Sequence, residues 1–216
     1  SDLDPSLADG GNDAAERRLV LATLEAGKEA AAAGQIERAA QLFAQAAALD
    51  PAIAVDPDAE AQRLATERQQ QAAASAATVV LELSERGAYR EAMQRLAEID
   101  VASPGVAITS TLSAEDWNRL CWDGALAGQV EAVMPACARA VSLAPDDGGI
   151  RDSRGLARAL TGDTVGAIAD FDAAVQWAQT TGYGQDFVDQ RQAWIDALNA
   201  GTNPFDEPTL DALRNN

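Results

Sequence analysis

Two cysteines and a complete lack of histidine limit the side-chain chemistry that this chain can perform. Cys121 and Cys137 are its two thiols, and none of its 216 residues is histidine. Two thiols are too few for a disulfide framework, and no histidine is available to complete a zinc site. We expect both cysteines to be small buried hydrophobic residues that pack near each other. A redox switch would need an exposed thiolate, and nothing in the sequence indicates one.

The acidic residues do not single out a catalytic pair. Aspartate and glutamate together number 34, and a solvated surface is the default place for so many carboxylates. The chain has no Gly-x-Ser-x-Gly turn, and Gly10-Gly11 lacks the lysine and serine of a phosphate-binding loop. We therefore predict no catalytic residue, no metal site and no cofactor, and we expect a protein that is not an enzyme.

Three arginines at helical spacing are the most specific polar motif. Arg151, Arg154 and Arg158 would project from neighbouring turns of one helix. A buried guanidinium must be paired, so these side chains either form a structural network or bind the carboxylate of a partner. The sequence leaves both interpretations open. Local carboxylates that could complete a network are Asp152, Asp163, Asp170 and Asp172.

The net charge of −18 excludes several classes of partner. Nucleic acids and anionic membrane surfaces would repel the chain, whereas a basic protein would be attracted. No apolar run is long enough to span a bilayer. The chain starts with serine, so we expect it to be a piece of a longer protein, and we expect a cytoplasmic location.

The positions of glycines and small residues predict the elements that hold these side chains. Gly34, Gly87, Gly128 and Gly162 are each followed, at the same offsets, by a small or β-branched residue, a larger apolar residue or cysteine, and another small or apolar residue. Glycine suits a helix end where the chain reverses, and the abundant alanine favours close helix packing. We predict an all-α protein. The residues at these offsets are Ala39, Phe43 and Ala46; Ala92, Leu96 and Ile99; Val133, Cys137 and Ala140; and Ala167, Phe171 and Ala174.

This pattern resembles the tetratricopeptide repeat (TPR), whose period of about 34 residues separates Gly128 from Gly162. Trp117 and Leu120 match the start of the repeat, and Cys121 stands where a glycine is expected. The resemblance implies a right-handed helical solenoid of about four helix pairs plus a C-terminal capping helix. The predicted divisions are a disordered lead-in at 1–12, repeat one at 13–53, a long helix and repeat two with a loop at 54–112, repeats three and four at 113–181, and a capping helix and tail at 182–216.

Local signals refine three of these elements. A helix of about thirty residues should run from Pro57, with Asp56 as its N-cap, almost to Gly87. Its polar stretch at 67–71 should be exposed. Ser113 and Asp116 should form a capping box, and Arg191 should lie on the polar outer face of the capping helix.

A narrower resemblance comes from longer stretches of sequence. The runs 117–122 and 151–162, together with the ending Trp194-Ile195 followed by Asn203-Pro204-Phe205, are similar to the C-terminal TPR module of bacterial multidomain signalling proteins. In that group the module follows caspase-like peptidase, nucleotide-binding or β-propeller domains. The resemblance implies a sensing, inhibitory or scaffolding segment, and it transfers no catalytic residue.

The TPR resemblance also implies a concave groove formed by the first helix of each pair. Apolar residues dominate these positions, so we expect the groove to bind a protein or peptide, either a basic segment or an amphipathic helix. The partner is another protein or another domain of the same parent chain. Two further interpretations remain, a regulatory domain that restrains an attached peptidase or NTPase, and a structural spacer or oligomerisation unit. The predicted groove residues are Leu81, Asn118, Trp122, Leu126, Asp152, Leu156 and Leu160.

Overall fold

The protein is built from α-helices. A computed structural model describes residues 6–102 and 111–215, and it describes the side chains of 13–99 and 111–215. Within these ranges it contains ten long helices and no strand, which confirms the all-α prediction. The helices are α1 Ser6–Ala32, α2 Ile36–Leu49, α3 Pro57–Glu85, α4 Tyr89–Ala102, α5 Ala114–Leu126, α6 Val130–Leu143, α7 Gly148–Thr161, α8 Thr164–Thr181, α9 Gln185–Asn199 and α10 Glu207–Arg214.

The same turn closes each of the first four helix pairs. Gly34, Gly87, Gly128 and Gly162 have φ angles of 74°, 73°, 74° and 84°, a left-handed conformation that glycine adopts without a steric penalty. In the third pair the Gly128 N–H donates to the Ala125 carbonyl (3.0 Å) and the next N–H donates to the Gly124 carbonyl (2.9 Å). This hydrogen-bond pattern recurs at the other three glycines and satisfies carbonyls at the end of each first helix.

The chain divides into two compact units, with the boundary between Ala72 and Ala73 inside α3. The first unit has a small core of alanines around Phe43. The second unit has two larger apolar clusters, one centred on α5 and α6 and the other on α7 to α9. The predicted division at 54–112 is therefore split between the two units, because the long helix contributes to the core of each.

The starts of the helices agree with the sequence except at the N-terminus. α1 begins at Ser6, so the predicted disordered lead-in at 1–12 is too long; acidic residues are favourable near the start of a helix and do not prevent it. α3 begins at Pro57, with the Asp56 carboxylate accepting from two backbone N–H groups, and its residues 67–71 are exposed as expected. The capping box of Ser113 and Asp116 is confirmed. The loop predicted at 102–112 lies mostly outside the described residues.

The two helices of a pair touch through one recurrent pair of residues, sixteen positions apart, which we call the crossing contact. In the first pair it joins Gly27 to Phe43, and in the fourth it joins Gly155 to Phe171. A Cβ atom at either glycine would lie within 2.8 Å of the phenylalanine ring, so the ring packs directly on the glycine backbone. Both phenylalanines are fully buried, as the sequence predicts.

In the third pair a disulfide takes the place of this contact. Cys121 and Cys137 are also sixteen residues apart, with 4.8 Å between their Cα atoms, and they are joined by a covalent bond. The expectation of two unlinked cysteines is therefore wrong, because these two positions are the ones that face each other across the helix pair. In this pair a side chain packs on a glycine backbone one turn further along α5, where a Cβ at Gly124 would lie 2.4 Å from the Val133 side chain.

Two glycines on α7 offer a matched test of the crossing contact. Replacing glycine by alanine inside a helix stabilises it by about 1 kcal/mol, whereas overpacking a core costs about 1–3 kcal/mol. Gly155→Ala forces the Phe171 ring to move and should lower the free energy of unfolding by roughly 1–2 kcal/mol. Gly149→Ala, where the nearest atom is an Asp147 carboxylate oxygen at 3.3 Å, should be neutral or stabilising. Equal denaturant midpoints for the two variants would contradict the contact.

Reducing the disulfide should destabilise the second unit. A cross-link that closes a loop of this length stabilises a protein by about 3 kcal/mol, chiefly by restricting the unfolded chain. We expect the guanidinium midpoint, followed by circular dichroism, to fall when a phosphine reductant is added. The double variant Cys121→Ala/Cys137→Ala is the control, and its midpoint should not respond to the reductant. A reductant effect of equal size on both proteins would show that it acts elsewhere.

Candidate functional site

The predicted groove residues differ in how accessible they are. Leu81, Asn118, Trp122 and Leu160 are partly exposed. Leu126 and Asp152 are each only 4% exposed to solvent, and Leu156 is fully buried. The last three side chains are therefore not accessible to a partner, and the open surface is narrower than the sequence suggests. The chain's own C-terminal segment, residues 200–215, lies against Leu126 through α10. Asp152 is paired with Arg191 of α9, and Leu156 belongs to the same apolar cluster as Trp194 of α9.

An aromatic cluster anchors that C-terminal segment. The Phe171 ring lies 5.4 Å from the Trp194 ring and 6.0 Å from the Phe205 ring, measured between centroids, and the last two rings are 4.9 Å apart. Leu213 of α10 belongs to the same apolar cluster as Leu126. The ending that the sequence analysis singled out therefore completes the core of the fourth helix pair.

Hydrogen bonds fix the same segment to helix ends. The Asn203 amide donates to the Ala159 carbonyl (3.0 Å) while its oxygen accepts from the Phe205 N–H (3.0 Å). The Arg214 Nε donates to the Leu126 carbonyl (2.9 Å). Ala159 and Leu126 lie in the last turns of α7 and α5, where carbonyls lack an N–H partner four residues ahead in the helix. The Ala159 carbonyl also accepts from the Gly162 N–H of the glycine turn (3.2 Å). The segment thus caps two helices and covers apolar surface at once.

A buried ion pair joins α7 to α9. Arg191 donates two hydrogen bonds to the Asp152 carboxylate, at 2.9 and 2.6 Å, and both side chains are buried. The guanidinium carbon lies 3.9 Å from the Phe187 ring centroid and 4.5 Å from that of Trp194. Burial raises the pKa of Asp152, and the hydrogen bonds from Arg191 oppose this shift.

The prediction that Arg191 lies on a polar outer face is therefore wrong. A signal for its burial is present in the sequence, because Phe187, Arg191, Trp194 and Leu198 follow each other at intervals of four, three and four residues. That spacing places the arginine on the apolar face of α9. An arginine within such a stripe requires a buried carboxylate, which Asp152 supplies.

Removing the arginine of this pair should destabilise the fold strongly. Arg191→Leu leaves a buried carboxylate without its partner and should cost about 3–5 kcal/mol at neutral pH. Burial holds the pKa of Asp152 above its unfolded value of 3.8. The folded variant therefore binds a proton on Asp152 more tightly than the unfolded chain does. Its stability should therefore improve as the pH is lowered towards that raised pKa.

Two further variants separate this effect from the loss of an ordinary charge. Arg95→Leu removes an arginine whose ion pair with Glu98 is exposed, and it should cost no more than about 1 kcal/mol. The double change Asp152→Leu/Arg191→Leu should recover much of the stability lost in Arg191→Leu. Equal unfolding free energies for the single and double variants would contradict the buried pair.

The three arginines of α7 converge on one buried carboxylate. Arg154 donates two hydrogen bonds to Asp170, at 2.7 and 2.6 Å, and Arg158 donates a third at 2.7 Å. The Arg151 guanidinium lies 3.6 Å from the same carboxylate, and Arg158 also lies 3.4 Å from Asp163. Since Asp170 belongs to α8 and Asp163 is the N-cap of that helix, these contacts favour a structural network over a site for a partner's carboxylate.

A hollow of about 430 Å³ lies next to α10, and two of the predicted groove residues, Trp122 and Leu126, line it. Burial raises the pKa of the Asp123 carboxyl in its wall, and Arg119 opposes the shift. Burial also raises the pKa of Tyr89, to which the neighbouring Asp123 contributes. The hollow therefore combines an aromatic surface with a carboxyl group that is partly withdrawn from water. Its walls are Tyr89, Trp122, Asp123, Leu126, Ala127, Leu213 and Arg214.

The described side chains contain no cluster of histidine, cysteine or carboxylate residues able to hold a metal ion. Among the described helices, none combines the length and apolar character needed to cross a membrane.

These helix pairs and their shared glycine turn make the chain an all-α helical-repeat protein. No family model matches the sequence, and no curated protein matches it. Among solved structures, the crystal structure of the P58(IPK) TPR domain aligns with 86% of this chain and 48% of its own, at 15% identity and a TM-score of 0.44. The chain thus spans about half the length of that structure.

Proposed function

We propose that the protein is a non-enzymatic interaction module whose groove binds an amphipathic helix or an extended peptide of a partner protein. The observation that carries this proposal is the occupation of the groove by the chain's own C-terminal segment. The same surface that holds α10 continues, uncovered, along Trp122.

The contacts of α10 illustrate how the groove holds a helix. Leu210 and Leu213 face the apolar cluster, and Arg214 forms exposed ion pairs with Glu207 (2.7 Å) and Asp211 (2.6 Å). A helix of eight residues is not stable alone in water, so its packing on the groove must supply much of its stability. This is the arrangement by which many proteins bind amphipathic helices.

The uncovered part of the groove offers both an apolar anchor site and a polar contact. Trp122 and Leu160 are partly exposed apolar side chains, and Asn118 lies one turn from Trp122 on α5. The side-chain oxygen of Asn118 is buried and accepts no hydrogen bond within the described residues. The net charge of −18 favours a partner with basic residues around its apolar anchor.

We also infer that the protein works in an oxidising compartment rather than in the cytoplasm that the sequence analysis expected. Structural disulfides persist in secreted and periplasmic proteins and are rare in reducing compartments. Cys121 and Cys137 are both fully buried, so their bond belongs to the core rather than to an exposed redox switch. Thiol labelling of denatured protein from its native source should succeed only after reduction.

A substitution at Trp122 tests the binding proposal. Peptides selected from a random library for binding to the full chain should bind the groove. Trp122→Ala should weaken their affinity by about 2 kcal/mol, or roughly thirtyfold, because tryptophan commonly dominates such interfaces. Titration calorimetry measures the affinity. Circular dichroism should show unchanged helicity, since Trp122 is not among the buried core side chains.

Leu143→Ala is the matched control for this experiment. Leu143 is an exposed large apolar residue at the end of α6, away from the groove positions, and its loss should leave the affinity unchanged. If Trp122→Ala and Leu143→Ala bind the selected peptides equally well, the groove is not the binding surface.

A further inference from the structure

A second hollow lies between the second helices of the second and third pairs. It measures about 460 Å³, within the usual range for small-molecule sites. None of its wall residues belongs to the groove described above. The wall consists of Arg90, Met93, Gln94, Leu96 and Ala97 from α4, Trp117 from α5, and Ala132, Pro135 and Arg139 from α6.

The polar groups of this hollow are almost all hydrogen-bond donors. Arginine and the indole of tryptophan donate hydrogen bonds and accept none, and only Gln94 offers an acceptor side chain. Both charged residues in the described wall are arginines, in a chain where 34 acidic residues outnumber 16 basic ones. This local bias favours an anionic ligand at a place where the rest of the surface repels one.

Two of these donors have no acceptor within the described residues. The Trp117 Nε1 is buried without a hydrogen-bond partner, and the Trp117 side chain is only 3% exposed. A buried donor without an acceptor is costly, so an acceptor from a ligand would be favourable. The exposed guanidinium of Arg90 forms no ion pair among the described side chains, and its backbone N–H is held by Gln129.

The α6 side of the hollow carries a proline in the middle of a helix. Pro135 has no N–H to give to the carbonyl of residue 131, and a proline inside a helix is normally destabilising. Its ring is exposed and adds an apolar surface beside Ala132. The lining that results is apolar over most of its area.

We propose that this hollow binds a small apolar carboxylate, a molecule with a hydrocarbon or aromatic body and a single carboxylate group. The body fills the space between Met93, Leu96 and Pro135. The carboxylate, which only accepts hydrogen bonds when ionised, meets Arg90 and the Trp117 N–H. The site is independent of the peptide-binding groove, so failure of either proposal leaves the other standing.

Octanoate and octanol are suitable probes, because they differ in charge but hardly in the size of the apolar body. The full chain should bind one equivalent of octanoate in titration calorimetry, and octanol should bind at least about tenfold more weakly, as expected for loss of charge-assisted hydrogen bonds. Arg90→Gln should remove this preference. Equal binding of both probes, or no saturable octanoate binding, would overturn the proposal.

Two alanines on α6 provide a matched pair of filling variants. Ala132 lines the hollow, whereas Ala138 is exposed on the same helix and does not. Ala132→Phe should weaken octanoate binding at least about tenfold because an added ring occupies the space, and Ala138→Phe should bind as the parent does. Equal affinities would place the ligand elsewhere.

The indole N–H resonances of the four tryptophans locate the ligand independently of affinity. Octanoate should shift one indole signal, and that signal should be the one missing from the spectrum of Trp117→Phe. A shift confined to the indole signals of Trp122, Trp177 or Trp194 would overturn the proposal.

Discussion

The structure depends on the crossing contact between the two helices of each pair. At this point two residues sixteen positions apart meet, either side chain to side chain or side chain to backbone. Alanine-rich helices have little surface to bury, so each pair needs one point where the packing is dense. Gly27 and Gly155 provide it by letting a phenylalanine ring rest on the backbone, and Val80 and Leu96 occupy the equivalent positions in the second pair. The third pair uses a covalent bond. Three chemically different solutions thus hold one geometry in four helix pairs, and the small residues around them allow the helices to approach.

The C-terminal part of the chain covers apolar surface that the repeated helix pairs leave exposed at the end of the stack. A stack of helix pairs ends with an apolar face that must be covered. α9 covers it with Trp194 and with the buried pair of Arg191 and Asp152, and the residues after α9 return along the groove to cap α5 and α7. The C-terminal cap and the helix pairs are therefore parts of one structure.

Much of the fold could be predicted from the sequence because glycine turns and helix caps act locally. Gly34 to Gly162, Asp56 and Ser113 set the helix ends through contacts within a few residues. The disulfide, the burial of Arg191 and the covering of Leu156 could not be read in the same way, since each depends on a distant part of the chain. The sequence does contain one signal for the disulfide, because Cys121 and Cys137 have the same sixteen-residue spacing as Gly155 and Phe171. Nothing local indicates that residues after 203 return to cover the groove.

The disulfide also changes how the chain would respond to a pulling force. The bond joins α5 to α6 across the turn at Gly128, so the chain between the two cysteines, which are sixteen positions apart, cannot be extended while the bond is intact. At about 3.4 Å for each extended residue, the intact disulfide shortens the fully extended chain by roughly 55 Å. The other three pairs, whose crossing contacts are non-covalent, can be extended fully. The third pair therefore acts as a mechanical stop in the middle of the second unit.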